Sequence, residues 1–123
     1  MEKSFSERVA EAKTAVSPIS PREAANLRAG CEPVLFIDPR PSGVIAATTG
    51  LIPGAHCVAL ADITSGALPK LLSDKWVRVI TTCQAGPMAA VAAHELAKQG
   101  FTRVSYLDGG TQGWLAAGLL TVR

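Results

Sequence analysis

A chain of 123 residues, 48% apolar and 18% charged, has the size and composition of one folded domain rather than of a disordered tail. Twelve basic residues against ten acidic ones leave a formal net charge of +2, too small and too evenly spread for a nucleic-acid-binding face. The most apolar stretch, residues 44–61, is broken by Thr48, Thr49, Gly50, Pro53, Gly54 and His56, so no run of 18 apolar residues is available to span a membrane.

In chain order, residues 1–16 carry Glu2, Lys3, Glu7, Arg8, Glu11 and Lys13, a pattern that excludes a secretory signal, and the acidic members speak against an organellar transit peptide. Phe5, Val9, Ala12 and Val16 follow one another at intervals of 4, 3 and 4, one face of an amphipathic helix. We read residues 1–17 as a helical extension that packs on the domain or on a partner, and residues 18–123 as the domain. Ser20-Pro21-Arg22-Glu23 starts a helix: Ser20 caps, Pro21 suits the first helical position, Glu23 completes a capping box, and Gly30 ends it. Val34-Leu35-Phe36-Ile37, Cys57-Val58-Ala59-Leu60, the run from Val77 to Thr82 and Arg103-Val104-Ser105-Tyr106-Leu107 are short apolar runs rich in β-branched residues, expected as strands buried on both faces. Residues 88–99 have the helical period, with Val91, Ala92 and Leu96 inward and Gly100 as the stop, and Trp114 opens a short last helix that closes at Gly118. Alternating strands and helices predict an α/β fold with a mainly parallel sheet.

In such sheets ligands bind beyond the carboxyl ends of the strands. Asp38-Pro39-Arg40, the loop from Cys83 to Met88, and Asp108-Gly109-Gly110 each close a strand, so they are expected on one rim. Cys31, Cys57 and Cys83 are odd in number and far apart, with no CxxC spacing; neither a zinc site nor a dithiol motif is indicated, and free thiols suit a reducing, cytoplasmic setting. Cys83 stands between an apolar strand and a helix, with Gln84-Ala85-Gly86-Pro87 between them. Such a loop curls backbone N–H groups toward one point, faced by the positive end of the helix dipole, and a thiolate or oxyanion placed there is stabilised. The bland alternative, Cys83 as one more small buried residue, stands beside this on spacing alone.

Several pieces together resemble the rhodanese-like (sulfurtransferase) family. They are the Ser20-Pro21 helix start, Asp38-Pro39-Arg40, Gly50-Leu51-Ile52-Pro53-Gly54-Ala55, and Cys83-Gln84-Ala85-Gly86 as the Cys-x-x-Gly loop. Gly100-Phe101, Leu107-Asp108-Gly109-Gly110, Trp114 and Ala117-Gly118 follow in the family's order. The resemblance implies a three-layer fold with a mainly parallel central sheet flanked by helices. It further implies transfer of a sulfane sulfur from a small donor such as thiosulfate to a thiophilic acceptor, a protein thiol among the candidates, through a Cys83 persulfide. Covalent catalysis of this kind divides one difficult transfer into two steps and requires no metal or organic cofactor. N–H donors for the sulfur are expected from Gln84, Ala85, Gly86, Met88 and Ala89, since Pro87 has none, with Arg40 a candidate for contacting an anionic donor. Asp38 with Arg40 also reads as a purely structural ion pair.

The loop departs from the family at Met88, where many members have Arg, Ser or Thr, and residues 84–88 carry no charge and no hydroxyl. The phosphatase relatives of the fold use Cys-x5-Arg, and the residue six places after Cys83 is Ala89, so a phosphate clamp is absent. A binding or regulatory module that kept the fold without turnover is the alternative. Trp114 and the marked glycines read as core and turn residues, His56 and His94 have no partner motif, and Cys31 and Cys57 read as bystanders.

Overall fold

Val79, Ile80 and Thr81 have no exposed surface, and the strand that carries them is the middle of the sheet. The computed structural model describes residues 3–123. In chain order its elements are α1 (Phe5–Ala15), β1 (Pro18–Ile19), α2 (Pro21–Ala29), β2 (Val34–Asp38), α3 (Ser42–Ala47), β3 (His56–Cys57) and α4 (Leu60–Ser65). After a single 3-10 turn at Lys70–Leu72 come β4 (Arg78–Thr81), α5 (Pro87–Lys98), β5 (Val104–Leu107) and α6 (Gly110–Ala116). The strands lie in the order β1-β5-β4-β2-β3, every neighbouring pair parallel, with Phe36 opposite Ile80 and Ile80 opposite Ser105.

Because side chains alternate across a strand, each one feeds both faces. Ile37 and Val79 join Ala92 and Leu96 of α5, Ile63 of α4 and Phe101 on one face. Tyr106 continues that face beneath Ala89, Ala90 and Ala93 of α5 and Ala12 of α1. Phe36, Ile80 and Leu107 point the other way, against Ala24 of α2 and Trp114 of α6. Helices thus cover both faces, giving the three-layer α/β architecture. Among the described residues no helix is long and apolar enough to cross a membrane.

The helix starts have visible causes. Ser20 caps α2 by accepting from the Glu23 N–H at 3.1 Å, and Pro21 occupies the first turn; the Glu23 carboxylate returns to the Ser20 hydroxyl rather than to its N–H. Ser4 and Glu7 form a full capping box at the start of α1. α1 thus spans Phe5–Ala15 and packs on α5 through Ala12 and Val16, while Met1 and Glu2 lie outside the described residues.

Three local expectations change. The strand foreseen at residues 57–60 shrinks to His56–Cys57, because β3 is an edge strand whose only partner, β2, ends at Asp38 opposite Cys57. Val58 makes one last bond to the Asp38 carbonyl before Leu60 opens α4, whose Ile63 is fully buried. Pro18–Ile19 adds an unforeseen edge strand, a position where a proline's missing N–H costs nothing. The last helix begins at Gly110, four residues ahead of Trp114.

Ala12 has no exposed surface whereas Ala10 is exposed. Ala12→Leu is expected to overpack the α1–α5 contact and cost about 1–3 kcal/mol in urea unfolding, whereas Ala10→Leu stays within about 0.5 kcal/mol of the parent. Equal effects would show that α1 does not share the core.

Candidate active site

Cys83 follows the central strand by two residues, which places it in the middle of the carboxyl rim of the sheet. From there the chain turns through Gln84 and Ala85 to Gly86, whose φ of +123° is closed to most side chains, and enters α5 at Pro87. The turn brings two backbone donors onto the thiol. Cys83 Sγ accepts from the Gly86 N–H at 3.1 Å and from the Ala89 N–H at 3.3 Å, and the residue is only 3% exposed.

A second loop holds the first one in place. The Thr111 N–H donates to the Cys83 carbonyl at 2.7 Å and the Gln112 N–H to the Gln84 carbonyl at 3.0 Å. Both carbonyls are thereby turned outward, toward α6, and the N–H groups of the same peptides are left on the inner side. Gly110 makes this approach possible: its φ is +62°, and a Cβ there would stand 2.7 Å from the oxygens of both Cys83 and Gln84. Below the loop, the Thr82 and Thr111 hydroxyls bond at 2.8 Å, and the Thr81 hydroxyl donates to the Ala89 carbonyl at 2.7 Å, fastening the first turn of α5 to β4.

The third loop supplies charge that is already spent. Asp38 is fully buried and Arg40 is 5% exposed. Arg40 Nε donates to Asp38 Oδ1 at 3.0 Å and Nη2 to Oδ2 at 2.7 Å, a bidentate pair. Nη2 also reaches the Thr49 hydroxyl and Nη1 the Thr48 hydroxyl, which leaves one guanidinium N–H without an acceptor among the described residues. The Arg40 N–H returns to Asp38 Oδ1, so the pair also fixes the bend that follows β2.

These loops meet around a cleft of about 430 Å³ with Cys83 in its lining. Gln84, Ala85, Pro87 and Met88 form one side, and Arg40, Pro41, Val44 and Phe5 the other. Of the expected sulfur-facing donors, Gly86 and Ala89 bond to Sγ, whereas Gln84, Ala85 and Met88 line the cleft above it. Phe5, Pro41 and Val44 carry no sequence signal for such a role; helix packing alone brings them here. His56 is exposed, His94 half-buried, and neither lines the cleft. Trp114 is core, edge-on to Phe36 with its Nε1 donating to the Leu120 carbonyl. Cys31 and Cys57 are exposed and free. Cys57 lines a different hollow, and partial burial together with the nearby Asp38 charge pushes its thiol up, partly opposed by Arg40. Among the described residues no three His, Cys, Asp or Glu side chains cluster as metal ligands.

The model of the rhodanese-like domain matches residues 20–117, most of the chain. The protein belongs to the rhodanese-like domain family. No curated protein matches it. A protein of unknown function from Rhodopseudomonas palustris CGA009, described as a possible tyrosine phosphatase, is 20% identical with a TM-score of 0.84, over 98% of this chain and 96% of that one. The thiosulfate sulfurtransferase of Pseudomonas aeruginosa is 30% identical with a TM-score of 0.71, but the match covers 85% of this chain and only 19% of that one. A human single-domain sulfurtransferase is 25% identical with a TM-score of 0.68, over 82% of this chain and 96% of that one. Within this rhodanese-like domain, the loops at Cys83 and Gly110 are therefore a coupled pair, and the glycine is as much part of the site as the thiol.

Gly110→Ala is expected to lower stability by about 1–3 kcal/mol, through strain at positive φ and collision with two carbonyls. Gly43 in α3, with nothing within 4 Å of an added Cβ, is the comparison; Gly43→Ala should be neutral or stabilising by up to about 1 kcal/mol. Equal unfolding midpoints for the two variants would mean that the loops are not in contact.

Proposed function

We propose that this rhodanese-like domain is a sulfurtransferase that carries a sulfane sulfur on Cys83. The observation that supports this reading best is the buried thiol in the lining of a cleft, with the N–H groups of Gly86 and Ala89 bonded to its sulfur. A sulfur atom there bears negative charge at a site with no basic side chain in the loop, so the fixed peptide dipoles are what stabilise it.

The reaction runs in two displacements. The Cys83 thiolate attacks the outer sulfur of the donor, forming the S–S bond of the persulfide as the bond to the donor's inner atom breaks and the donor residue leaves with the electron pair; from thiosulfate, sulfite departs. A thiophilic acceptor then attacks the outer sulfur of the persulfide and the Cys83 thiolate leaves. With cyanide as acceptor the product is thiocyanate, and a protein thiol would take the same role. Gly86 and Ala89 hold the inner sulfur, Gln84, Ala85 and Met88 offer their N–H groups to the outer one, and Arg40 contributes its one unengaged N–H at the wall. Each step moves a sulfur atom between nucleophiles with no change in electron count, so no cofactor is required. The phosphatase in the name given to the R. palustris protein does not transfer here: a likeness at 20% identity carries the fold, and Ala89 stands where a Cys-x5-Arg loop needs its arginine.

Incubation with thiosulfate followed by intact-mass measurement is expected to show a gain of one sulfur, about 32 Da, mapped to Cys83. Cys83→Ser should abolish both that adduct and thiocyanate formation, while Cys31→Ser and Cys57→Ser keep most of the activity. Thiocyanate formation that survives Cys83→Ser overturns the proposal, and a chain that never takes up sulfur from any sulfane donor is a binding module instead.

Thiosulfate carries two negative charges, and Met88 gives it neither a charge nor a hydroxyl. Met88→Arg is therefore expected to lower the KM for thiosulfate about tenfold, which requires only about 1.4 kcal/mol of the roughly 1.5–3 kcal/mol available from a charge-assisted hydrogen bond. Saturation of the parent protein by micromolar thiosulfate would contradict this.

A further inference from the structure

The cleft over Cys83 is poor in usable charge and rich in apolar surface. Its cation, Arg40, is neutralised by both oxygens of buried Asp38. Lining the cleft with Cys83 are Phe5 of α1, Val44 of α3 and Met88 of α5, brought together from three separate stretches of chain. Phe5 and Val44 are 46% and 44% exposed, as expected for side chains that wall an open cleft rather than fill a core. Nor is Phe5 on a loose end. The Ser4–Glu7 capping box fixes the turn that carries it, Ala12 and Val16 anchor the helix beneath α5, and Arg8 reaches Glu95 at 4.0 Å.

We infer that the sulfur donor is an organic sulfane compound whose transferable sulfur is carried on an apolar group, and that this group seats against Phe5, Val44 and Met88 while the sulfur meets Cys83. The inference rests on the sulfurtransferase reading and deepens it. A doubly charged donor entering this cleft loses hydration with no free cation to replace it. A thiosulfonate, R–SO2–S⁻, or a hydropersulfide, R–S–SH or its anion R–S–S⁻, carries at most one negative charge, gives up less hydration and buries R against apolar walls. Cys83 thiolate takes the outer sulfur, the S–S bond to the donor breaks, and R–SO2⁻ or R–S⁻ leaves with the electron pair.

The probes are benzenethiosulfonate and methanethiosulfonate, which have the same charge and leave as sulfinates but differ in the apolar group, with cyanide as acceptor and thiocyanate as the readout. In the parent protein kcat/KM is expected to favour the aryl donor by about tenfold or more, the scale of one well-filled apolar contact. Phe5→Ala and Val44→Ser should each cut the aryl-to-methyl ratio by about threefold or more; comparing the ratio between proteins cancels the intrinsic reactivity of the two donors. A ratio that is the same in all three proteins, or thiosulfate preferred to both organic donors in the parent, overturns the inference and leaves the sulfurtransferase reading standing. If no donor forms a persulfide on Cys83, the sulfurtransferase reading fails and the inference falls with it.

Discussion

Two hydrogen bonds between loops, from the N–H groups of Thr111 and Gln112 to the carbonyls of Cys83 and Gln84, decide which way the peptides after the central strand face. A peptide group presents its N–H and C=O on opposite sides, so taking these carbonyls outward leaves the N–H groups of Gln84 and Ala85 on the side away from α6, beside the turn whose Gly86 and Ala89 N–H groups bond to the thiol. The bonds require the start of α6 to lie against the turn, and only a glycine at position 110 permits that distance. Parallel pairing of β5 beside β4 brings the two turns to the same rim, so the sheet order is itself a condition for the site.

The electrostatics of the rim follow from how its few charges are used. Asp38 and Arg40 are buried as a bidentate pair with Thr48 and Thr49, and among the described residues no buried side-chain polar atom is left without a partner. A buried pair of this kind contributes a defined loop conformation more than net stability, because desolvating both charges offsets their attraction. The other prominent arginine pair of the sheet, Arg78 and Arg103, serves Glu32 at the amino end of β4 and β5, where the two guanidinium groups hold the Glu32 carboxyl down to about 2. These three arginines are committed to Asp38 and Glu32, and the Cys83 thiol has backbone N–H groups as its partners.

The helix α1 ties the periphery to the cleft. Its small residue Ala12 permits close approach to the alanine-rich face of α5, and the same face carries Ala89, whose N–H bonds to the thiol. Packing of α1 and the geometry of Cys83 consequently share one cluster, and Phe5, in the first turn of the same helix, forms part of the cleft. Much of the chemistry-bearing loop is carried by α5, so whatever orients α5 orients the site.

The sequence by itself determined the strand-and-helix alternation, the capped start of α2, the buried runs in β2, β4 and β5, and the place of Cys83 at the strand-to-helix turn. Each of these rests on residues adjacent in the chain: β-branched runs, a Ser-Pro cap, a cysteine between a strand and a glycine turn. Tertiary structure decided the rest. Edge strand β3 is short because its neighbour ends, which no local propensity records. Arg40 reads equally as an anion contact or a structural cation until Thr48, Thr49 and both Asp38 oxygens are seen around it. Gly110 looks like any turn glycine until the two carbonyls stand 2.7 Å from its absent Cβ. Phe5 and Val44 join the lining of the cleft only through helix packing across the chain, and long-range packing leaves no mark on the spacing of nearby residues.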